Sequence, residues 1–302
     1  MPKLKYLPIV VLLATITACT SPSPNNIDNL KKQINDRLSE LEGDFAVAFQ
    51  SLDDPDASIL INVDDRFHAA STMKTPLLIE IFKQAEAGLF SLEDSITIIN
   101  EFASIVDGSP YSMVVSEDSE EDLYGIIGKK ASISDLTYQM ITQSSNLATN
   151  ILIEFVRPEN VNKTMREIGA DSIDVLRGVE DLKAYEAGLS NTTTAKDLLI
   201  IFNKIGSYSL LSKDSHERIL SILKDQVHND MFPVKLPEGT EIAHKTGWIT
   251  NVHHDSGIIY LPDGQAFVLV FLSKNAPDTE AVRDAAADIA KWSYDFLEQE
   301  GK

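Results

Sequence analysis

The chain has 302 residues, of which 43% are hydrophobic and 24% are charged, a balance typical of a globular protein with a sizeable buried core rather than of a disordered one. Acidic residues outnumber basic ones by 46 to 26, so the formal net charge is −20. A nucleic-acid partner is therefore not expected, because phosphate binding needs a basic surface. Cys19 is the only cysteine, which excludes an intrachain disulfide.

The N-terminus carries an export signal. Two lysines precede an apolar run, Ile9 to Ile16, which predicts a secretory signal peptide at residues 1–18 that is too short to remain as a membrane span. The following residues resemble the lipobox of bacterial lipoproteins. That resemblance implies that Cys19 is acylated, that residues 19–28 form a tether, and that Thr20, not being aspartate, sends the chain to an outer membrane, facing the periplasm. The alternative is an ordinary signal peptide with a chance cysteine.

The remaining elements follow from hydrophobic periodicity. A first helix is followed by two strands, then by a mostly helical block over residues 72–224, three more strands and a last helix. The last three strands leave no room for crossover connections, so we expect an α/β (α+β) protein with one antiparallel five-stranded sheet. The terminal helices would cover one face in a three-layer α/β/α arrangement, with the helical block as an inserted subdomain. The predicted bounds are helix Ile27–Leu41, strands Phe45–Ser51, Ala57–Val63, Glu241–Thr246, His254–Leu261 and Ala266–Ser273, and helix Thr279–Leu297.

The first candidate catalytic pair lies at the start of the helical block. Ser71 and Lys74 are three residues apart, so on a helix they share one face. A serine hydroxyl needs a nearby base before it can act as a nucleophile. Burial lowers the pKa of a lysine, so a buried lysine amine can be neutral and serve as that base. Alone, the spacing is weak support, since Ser221 and Lys224 repeat it within an apolar-periodic helix and the pair at Ser71 is also compatible with ordinary helix capping.

Two further motifs follow in order. Ser144-Ser145-Asn146 interrupts two helical patterns, and Lys245-Thr246-Gly247-Trp248 lies in a predicted strand. Ser-x-x-Lys, Ser-x-Asn and Lys-Thr-Gly together form the signature of penicillin-recognising serine enzymes. The chain thus resembles class A β-lactamases over nearly all of its mature length.

This resemblance implies a role for each matching residue. Ser71 would be the acylated nucleophile, Lys74 its base, and Ser144 a proton relay to the leaving nitrogen. The implied catalytic domain is residues 29–302, with an α/β part at 29–70 and 226–302 and a helical part at 71–225, and no cofactor is expected. The implied substrate contacts are Asn146 for the substrate amide, Lys245 and Thr246 for its carboxylate, Gly247 for close approach of the strand, and the backbone N–H of Trp248 for the oxyanion hole.

The chain departs from the family pattern in two places. Ser145 stands where class A enzymes have an aspartate. The loop that should carry the deacylating glutamate is out of register. Glu180 is the favoured candidate for this base, although it follows Arg177 by three residues instead of two. The alternatives are Glu186, which fits Glu-x-x-Leu but stands too close to Thr192, and the absence of a true equivalent.

These departures leave other functions open. A D,D-peptidase of the penicillin-binding type or an esterase on the same scaffold is the first alternative, and a non-catalytic cell-wall-binding lipoprotein is the second. The acidic run Glu117–Asp122 is predicted to be a solvated loop rather than part of a site. No metal site is expected at His244, His253 and His254, because adjacent histidines on a strand point to opposite faces.

Overall fold

The computed structural model describes residues 26–300. The predicted signal peptide at residues 1–18, the predicted acylation site Cys19 and most of the predicted tether lie outside the described residues. None of the helices within residues 26–300 is long and apolar enough to cross a membrane.

The centre of the molecule is one five-stranded antiparallel sheet, as predicted. Its strands are β1 (Asp44–Ser51), β2 (Ser58–Ile61), β9 (Ile242–Ile249), β10 (Val252–Tyr260) and β11 (Ala266–Lys274). Their order in the sheet is β2-β1-β11-β10-β9, so the first two strands of the chain lie beside the last three. Strands β1, β11, β10 and β9 pair continuously over most of their length, and β9 is an edge strand with its outer side toward the helical block.

Alternation along the central strands separates two cores. On β1, Ala46 and Ala48 face the core shared with the helical block, whereas Phe45, Val47 and Phe49 face the core shared with the terminal helices. Successive side chains of a strand point to opposite faces, so a strand that is apolar throughout must be covered on both sides. The result is the expected three-layer α/β/α arrangement.

Two helices cover one face of the sheet. They are α1 (Ile27–Ser39), N-capped by the Asn26 side chain, and α9 (Thr279–Glu300). The Arg37 guanidinium joins them through ion pairs with Asp284 and Asp288.

The segment between β2 and β9 supplies the other layer. It contains seven α-helices and six short strands within the described residues, so the predicted helical block is correct in its main content but not purely helical. Its helices are α2 (Lys74–Glu86), α3 (Ile133–Thr142), α4 (Asn146–Val156), α5 (Pro158–Glu167), α6 (Leu182–Glu186), α7 (Ala195–Gly206) and α8 (Lys213–Lys224). Its short strands are β3 (Phe67–His68), β4 (Ser95–Thr97), β5 (Phe102–Ala103), β6 (Pro110–Tyr111), β7 (Lys130–Ser132) and β8 (Thr192–Thr193).

Candidate active site

Ser71 lies where the chain leaves the sheet layer and enters the helical layer. It belongs to a 3-10 helix, Ala70–Met73, that continues directly into α2. Ala70, immediately before it, has a positive φ of 45°, a conformation that L-residues rarely adopt. The turn is held by a hydrogen bond from the Ala70 N–H to His68 Nδ1 at 3.0 Å. Ser71 is half-buried, because it stands at the surface of a cleft while its neighbours Thr72 and Met73 are in the core.

The amine of Lys74 is fully buried at the base of this cleft. Its Nζ donates to the Ser144 carbonyl oxygen at 2.7 Å, to Asn146 Oδ1 at 3.0 Å and to Ser144 Oγ at 3.2 Å. Burial lowers the pKa of Lys74 from 10.5 to about 7, with the carboxylates of Asp118 and Glu180 acting in the opposite direction. A substantial fraction of this amine is therefore neutral near pH 7 and able to accept a proton.

A second buried amine meets the first at Ser144. Lys245 Nζ, from edge strand β9, donates to Ser144 Oγ at 3.1 Å and to the Thr246 carbonyl at 3.0 Å. Burial lowers the pKa of Lys245 well below its usual range, and the nearby Lys74 lowers it further. The Ser144 hydroxyl accepts from both amines with its two lone pairs, which leaves its own proton free to be donated into the cleft.

The turn that carries Ser144 begins α4. Ser144 has a positive φ of 57°, and the Ser145 side chain caps the helix by accepting from the Ala148 N–H at 3.2 Å. The next two backbone N–H groups, those of Asn146 and Leu147, donate to the carboxylate of Asp118 at 2.8 and 2.9 Å. The turn therefore depends on a side chain from a separate loop.

Glu180 reaches the same centre from the loop before α6. Asn146 Nδ2 donates to Glu180 Oε1 at 3.1 Å, while Oδ1 of the same amide accepts from Lys74. Burial raises the pKa of Glu180 above its ordinary value, although the hydrogen bond from Asn146 opposes the shift. The Asn150 side chain clamps the loop next to it, bonding the N–H of Val179 at 2.7 Å and its carbonyl at 3.0 Å.

The base of this loop is closed by Asn191. Its Oδ1 accepts from the N–H groups of Leu176 and Arg177 at 2.8 and 3.1 Å, and its Nδ2 donates to the Arg177 carbonyl at 2.9 Å. The Arg177 guanidinium in turn bonds the Leu189 carbonyl at 3.0 Å. These contacts hold together the two ends of the loop that carries Glu180, at residues 176–177 and 189–191.

The opposite wall of the cleft is the edge of β9. A Cβ atom added to Gly247 would lie 2.9 Å from the backbone nitrogen of Ser71 and 3.0 Å from that of Thr72, so only glycine permits this approach. Trp248 follows and is 59% exposed at the mouth of the cleft. The cleft has a volume of about 370 Å³, and its lining includes Ser71, Ser144, Asn146, Glu180 and Trp248.

A model of the β-lactamase enzyme family matches residues 29–297. The chain belongs to this family. The predicted family is thereby confirmed over nearly the whole of the described chain.

Individual relatives agree with this membership. Over 95% of its length, this β-lactamase-family chain is 26% identical to β-lactamase VEB-1 of Pseudomonas aeruginosa, covering 97% of that protein. It is 24% identical to the extended-spectrum β-lactamase PER-1 of the same organism, covering 88% of this chain and 87% of the relative.

Solved structures confirm the predicted fold. PBP-A superposes with a TM-score of 0.77 at 28% identity, covering 90% of this chain and 96% of that one. TLA-1 extended-spectrum β-lactamase has the same TM-score at 23% identity, covering 90% and 99%, a likeness that concerns the fold alone.

Within this β-lactamase-family fold, the structure brings most of the predicted site residues together. Lys74, Ser144, Asn146 and Lys245 form one hydrogen-bonded group, and Glu180 joins it. Of the other candidates, Glu186 is exposed at the end of α6, away from the cleft lining. The second Ser-x-x-Lys pair lies in α8, where Ser221 is exposed and Lys224 pairs with Glu241.

The prediction for the acidic run was wrong in part. Asp118 and Glu117 belong to that run, yet Asp118 caps the turn after Ser144 and Glu117 lines the cleft. Glu120 of the same run is also buried, where its carboxylate accepts the N–H groups of Asp122 and Leu123. Charge density alone could not separate these three acids from the others in the run. The one general signal is that Ser145 can cap only part of the helix start and leaves N–H donors that need acceptors, but this does not identify Asp118 as the acceptor.

The histidines on the sheet have structural partners. His244 Nδ1 contacts Asp255 Oδ1 at 2.9 Å, and His254 Nε2 donates to the His68 carbonyl at 2.9 Å, which ties the segment before Ser71 to β10. Burial lowers the pKa of His254 to about 4, so this histidine is neutral. Among residues 26–300, no group of three histidine, cysteine or acidic side chains is placed to hold a metal ion.

Proposed function

We propose that this chain opens β-lactam amides through an acyl-enzyme formed on Ser71. The observation that carries the proposal is the position of the Asn146 amide. Its oxygen accepts from Lys74 at 3.0 Å and its nitrogen donates to Glu180 at 3.1 Å. One side chain thus connects an amine suited to acylation with a carboxylate suited to deacylation.

In the acylation step, neutral Lys74 takes the proton of the Ser71 hydroxyl as Oγ bonds to the lactam carbonyl carbon. The negative charge that develops on the carbonyl oxygen is stabilised by the backbone N–H groups of Ser71 and Trp248. The C–N bond then breaks, and the ring nitrogen receives the Ser144 hydroxyl proton. Lys74 returns a proton to Ser144, so no net charge is left behind.

In the deacylation step, Glu180 is the general base. It takes a proton from a water molecule, whose oxygen attacks the ester carbon, and the Ser71 Oγ leaves with a proton supplied through the same group. The half-buried setting that raises the pKa of Glu180 makes its carboxylate a stronger proton acceptor than an exposed one. The contact with Asn146 keeps this carboxylate oriented toward Lys74 and the cleft.

Lys245 and Thr246 are proposed to bind the carboxylate of the substrate. Within a chain of net charge −20, an anionic substrate needs a local cation. Burial lowers the pKa of Lys245, and an incoming carboxylate would favour the charged amine and so oppose this shift.

A D,D-peptidase acting on peptidoglycan-like stem peptides is the second candidate. The specific observation in its favour is the likeness to PBP-A, a variant of which is known as an acyl-enzyme complex with penicillin G. The two candidates share acylation and differ in what happens afterwards. The contact between Glu180 and Asn146 favours the first, because a penicillin-binding peptidase has no need of a base that clears a penicilloyl group.

Paired substitutions test the proposal. Ser71→Ala should abolish adduct formation with benzylpenicillin, whereas Ser221→Ala, in the second Ser-x-x-Lys pair, should leave it unchanged. Glu180→Gln should acylate at nearly the parent rate but lose about 10²- to 10⁴-fold in deacylation, the usual contribution of a general base. Glu186→Gln is its matched control and should turn over normally.

Two results would count against this assignment. If Glu180→Gln hydrolysed penicillin at the parent rate, Glu180 would not be the base. If the parent chain kept its penicilloyl adduct and instead released D-alanine from a peptide ending in D-Ala-D-Ala, the peptidase would be the better description.

We also propose that the chain is exported and anchored by a lipid on Cys19. The support is the sequence pattern of residues 1–19. Expression of the full chain in a bacterium should give a membrane-associated form with a diacylated N-terminal Cys19, detected by mass spectrometry, and Cys19→Ser should abolish both the lipid and the membrane association.

A further inference from the structure

Asp118 is the residue outside the three motifs that contacts the catalytic turn most directly. One oxygen of its carboxylate accepts the Asn146 N–H at 2.8 Å. The other accepts the Leu147 N–H and the Tyr124 hydroxyl, both at 2.9 Å. All three contacts are partly buried, which makes them less screened than surface hydrogen bonds.

These contacts fall on the two donors that the turn itself leaves open. The first N–H groups of an α-helix have no partner within the helix. In α4 the Ser145 side chain accepts only from Ala148, and Asp118 supplies the acceptors for Asn146 and Leu147. The negative charge also lies at the positive end of the α4 dipole, where it is stabilising.

The same carboxylate acts on the catalytic amine. Asp118 and Glu180 are the two acids that favour the charged form of Lys74. On the other side, Lys245 lies across Ser144 from Lys74, and His228 is close enough for both amines to lower its pKa. Asp255 favours the charged form of Lys245, so Asp118 is one of three negative charges around this buried pair of lysines and one of the two that act on Lys74.

We propose that Asp118 is a positioning residue of this active site, which orients Ser144 and Asn146 by capping α4 and balances the charge of Lys74. The inference rests on the proposed acylation of Ser71. It makes Asp118 distinct from the neighbouring acids of the run Glu117–Asp122, because its function depends on where its two oxygens lie rather than on total charge.

The test compares three variants of the full-length chain. Asp118→Asn removes the charge and one of the two acceptor oxygens. Asp118→Glu keeps the charge but displaces the oxygens, and Asp122→Asn removes the same charge from an exposed position of the same loop. The measured quantity is the single-turnover rate of acylation by a chromogenic cephalosporin from pH 5 to pH 9, with the thermal midpoint of each variant as a check on folding.

We expect Asp118→Asn to lose about tenfold or more in the maximal acylation rate, as is usual when a charge-assisted hydrogen bond is removed. The increase of its acylation rate with pH should also occur at lower pH, because the pKa of Lys74 falls when a carboxylate that favours the charged amine is removed. Asp118→Glu should have a lower maximal acylation rate but the same pH dependence as the parent. Asp122→Asn should match the parent in both the maximal rate and its pH dependence.

Either of two outcomes would overturn the inference: Asp118→Asn behaving like Asp122→Asn, or a slow Asp118→Asn whose pH dependence is that of the parent. Both are distinguishable from failure of the proposed function, in which the parent chain itself would not be acylated.

Discussion

Gly247→Ala isolates the approach of the sheet edge to Ser71. The added Cβ would lie 2.9 Å from the Ser71 nitrogen and 3.0 Å from the Thr72 nitrogen, whereas ordinary contact begins at 3.4 Å. Both nitrogens are backbone atoms of the 3-10 helix Ala70–Met73, whose residues Thr72 and Met73 are buried, so neither atom can rotate away. The strand and the helix must therefore separate by about 0.5 Å.

We expect this separation to reduce the acylation rate, through the oxyanion hole, more than it reduces the stability of the fold. The two proposed donors, the N–H groups of Ser71 and Trp248, lie on opposite sides of the displaced contact. Loss of one such donor costs about 10²- to 10³-fold in rate, or roughly 3–4 kcal/mol of transition-state stabilisation. We expect acylation to fall about 100-fold, while overpacking lowers the free energy of unfolding by only about 1–3 kcal/mol.

The assay is stopped-flow acylation with a chromogenic cephalosporin, together with thermal unfolding. Gly125→Ala is a matched control, because a Cβ at that position meets no atom within 4 Å. An acylation rate for Gly247→Ala within threefold of the parent would refute the reasoning, since it would mean that the edge of β9 does not take part in the oxyanion hole.

Three further predictions concern the pH dependence of acylation, the pH dependence of deacylation, and the loop that carries Glu180. Because acylation needs neutral Lys74, its rate should rise with pH through about 7 and level off above; a rate that is flat from pH 5 to pH 8 would contradict this role. Deacylation needs ionised Glu180, so in a single-turnover assay it should be lost, as pH falls, at a higher pH than an exposed carboxyl would give. Gly178→Ala would place a Cβ 2.5 Å from Asn150 Oδ1, so it should disturb the clamp on Val179 and slow deacylation more than acylation, by about tenfold. Equal losses in both steps would indicate general unfolding of the loop instead.

The sheet could be predicted from the sequence because apolar runs and a short turn are enough to indicate its strands and their pairing. Strands β1 and β11 contain the unbroken apolar runs Phe45–Phe49 and Ala266–Leu272, which indicate burial on both faces. The short turn at Pro262 leaves only antiparallel pairing for β10 and β11. The strand bounds were correct to within a few residues. The largest extension, at β9, continues to Ile249 because it pairs with β10 beyond Thr246.

The centre of the active site could be predicted because its residues occur in motifs. The spacing of Ser71 and Lys74 predicted that both lie at one helical start, and the structure has Ser71 in the 3-10 helix that leads into α2 at Lys74. The contact of both Lys74 and Lys245 with Ser144 could not be predicted from spacing, because Ser144 is 70 positions from Lys74 and 101 positions from Lys245 in the sequence. Only the resemblance to class A β-lactamases linked them.

The loops could not be predicted to the same degree. Asp118 belongs to a charged run whose members look alike in sequence, and its contact with Asn146 spans 28 positions. Glu180 looked out of register with the family pattern, yet a positive φ of 61° at this residue and the clamp from Asn150 bring its carboxylate to Asn146. Such local backbone conformations follow from tertiary contacts, which leave no periodic signal.

The most direct test of the central proposal is intact-mass spectrometry of the full chain over time after addition of one equivalent of benzylpenicillin. A penicilloyl adduct should appear on the intact chain, map to the peptide that contains Ser71 after digestion of a quenched sample, and then clear while penicilloate accumulates. An adduct that never clears, or hydrolysis without any adduct on Ser71, would contradict the proposed mechanism.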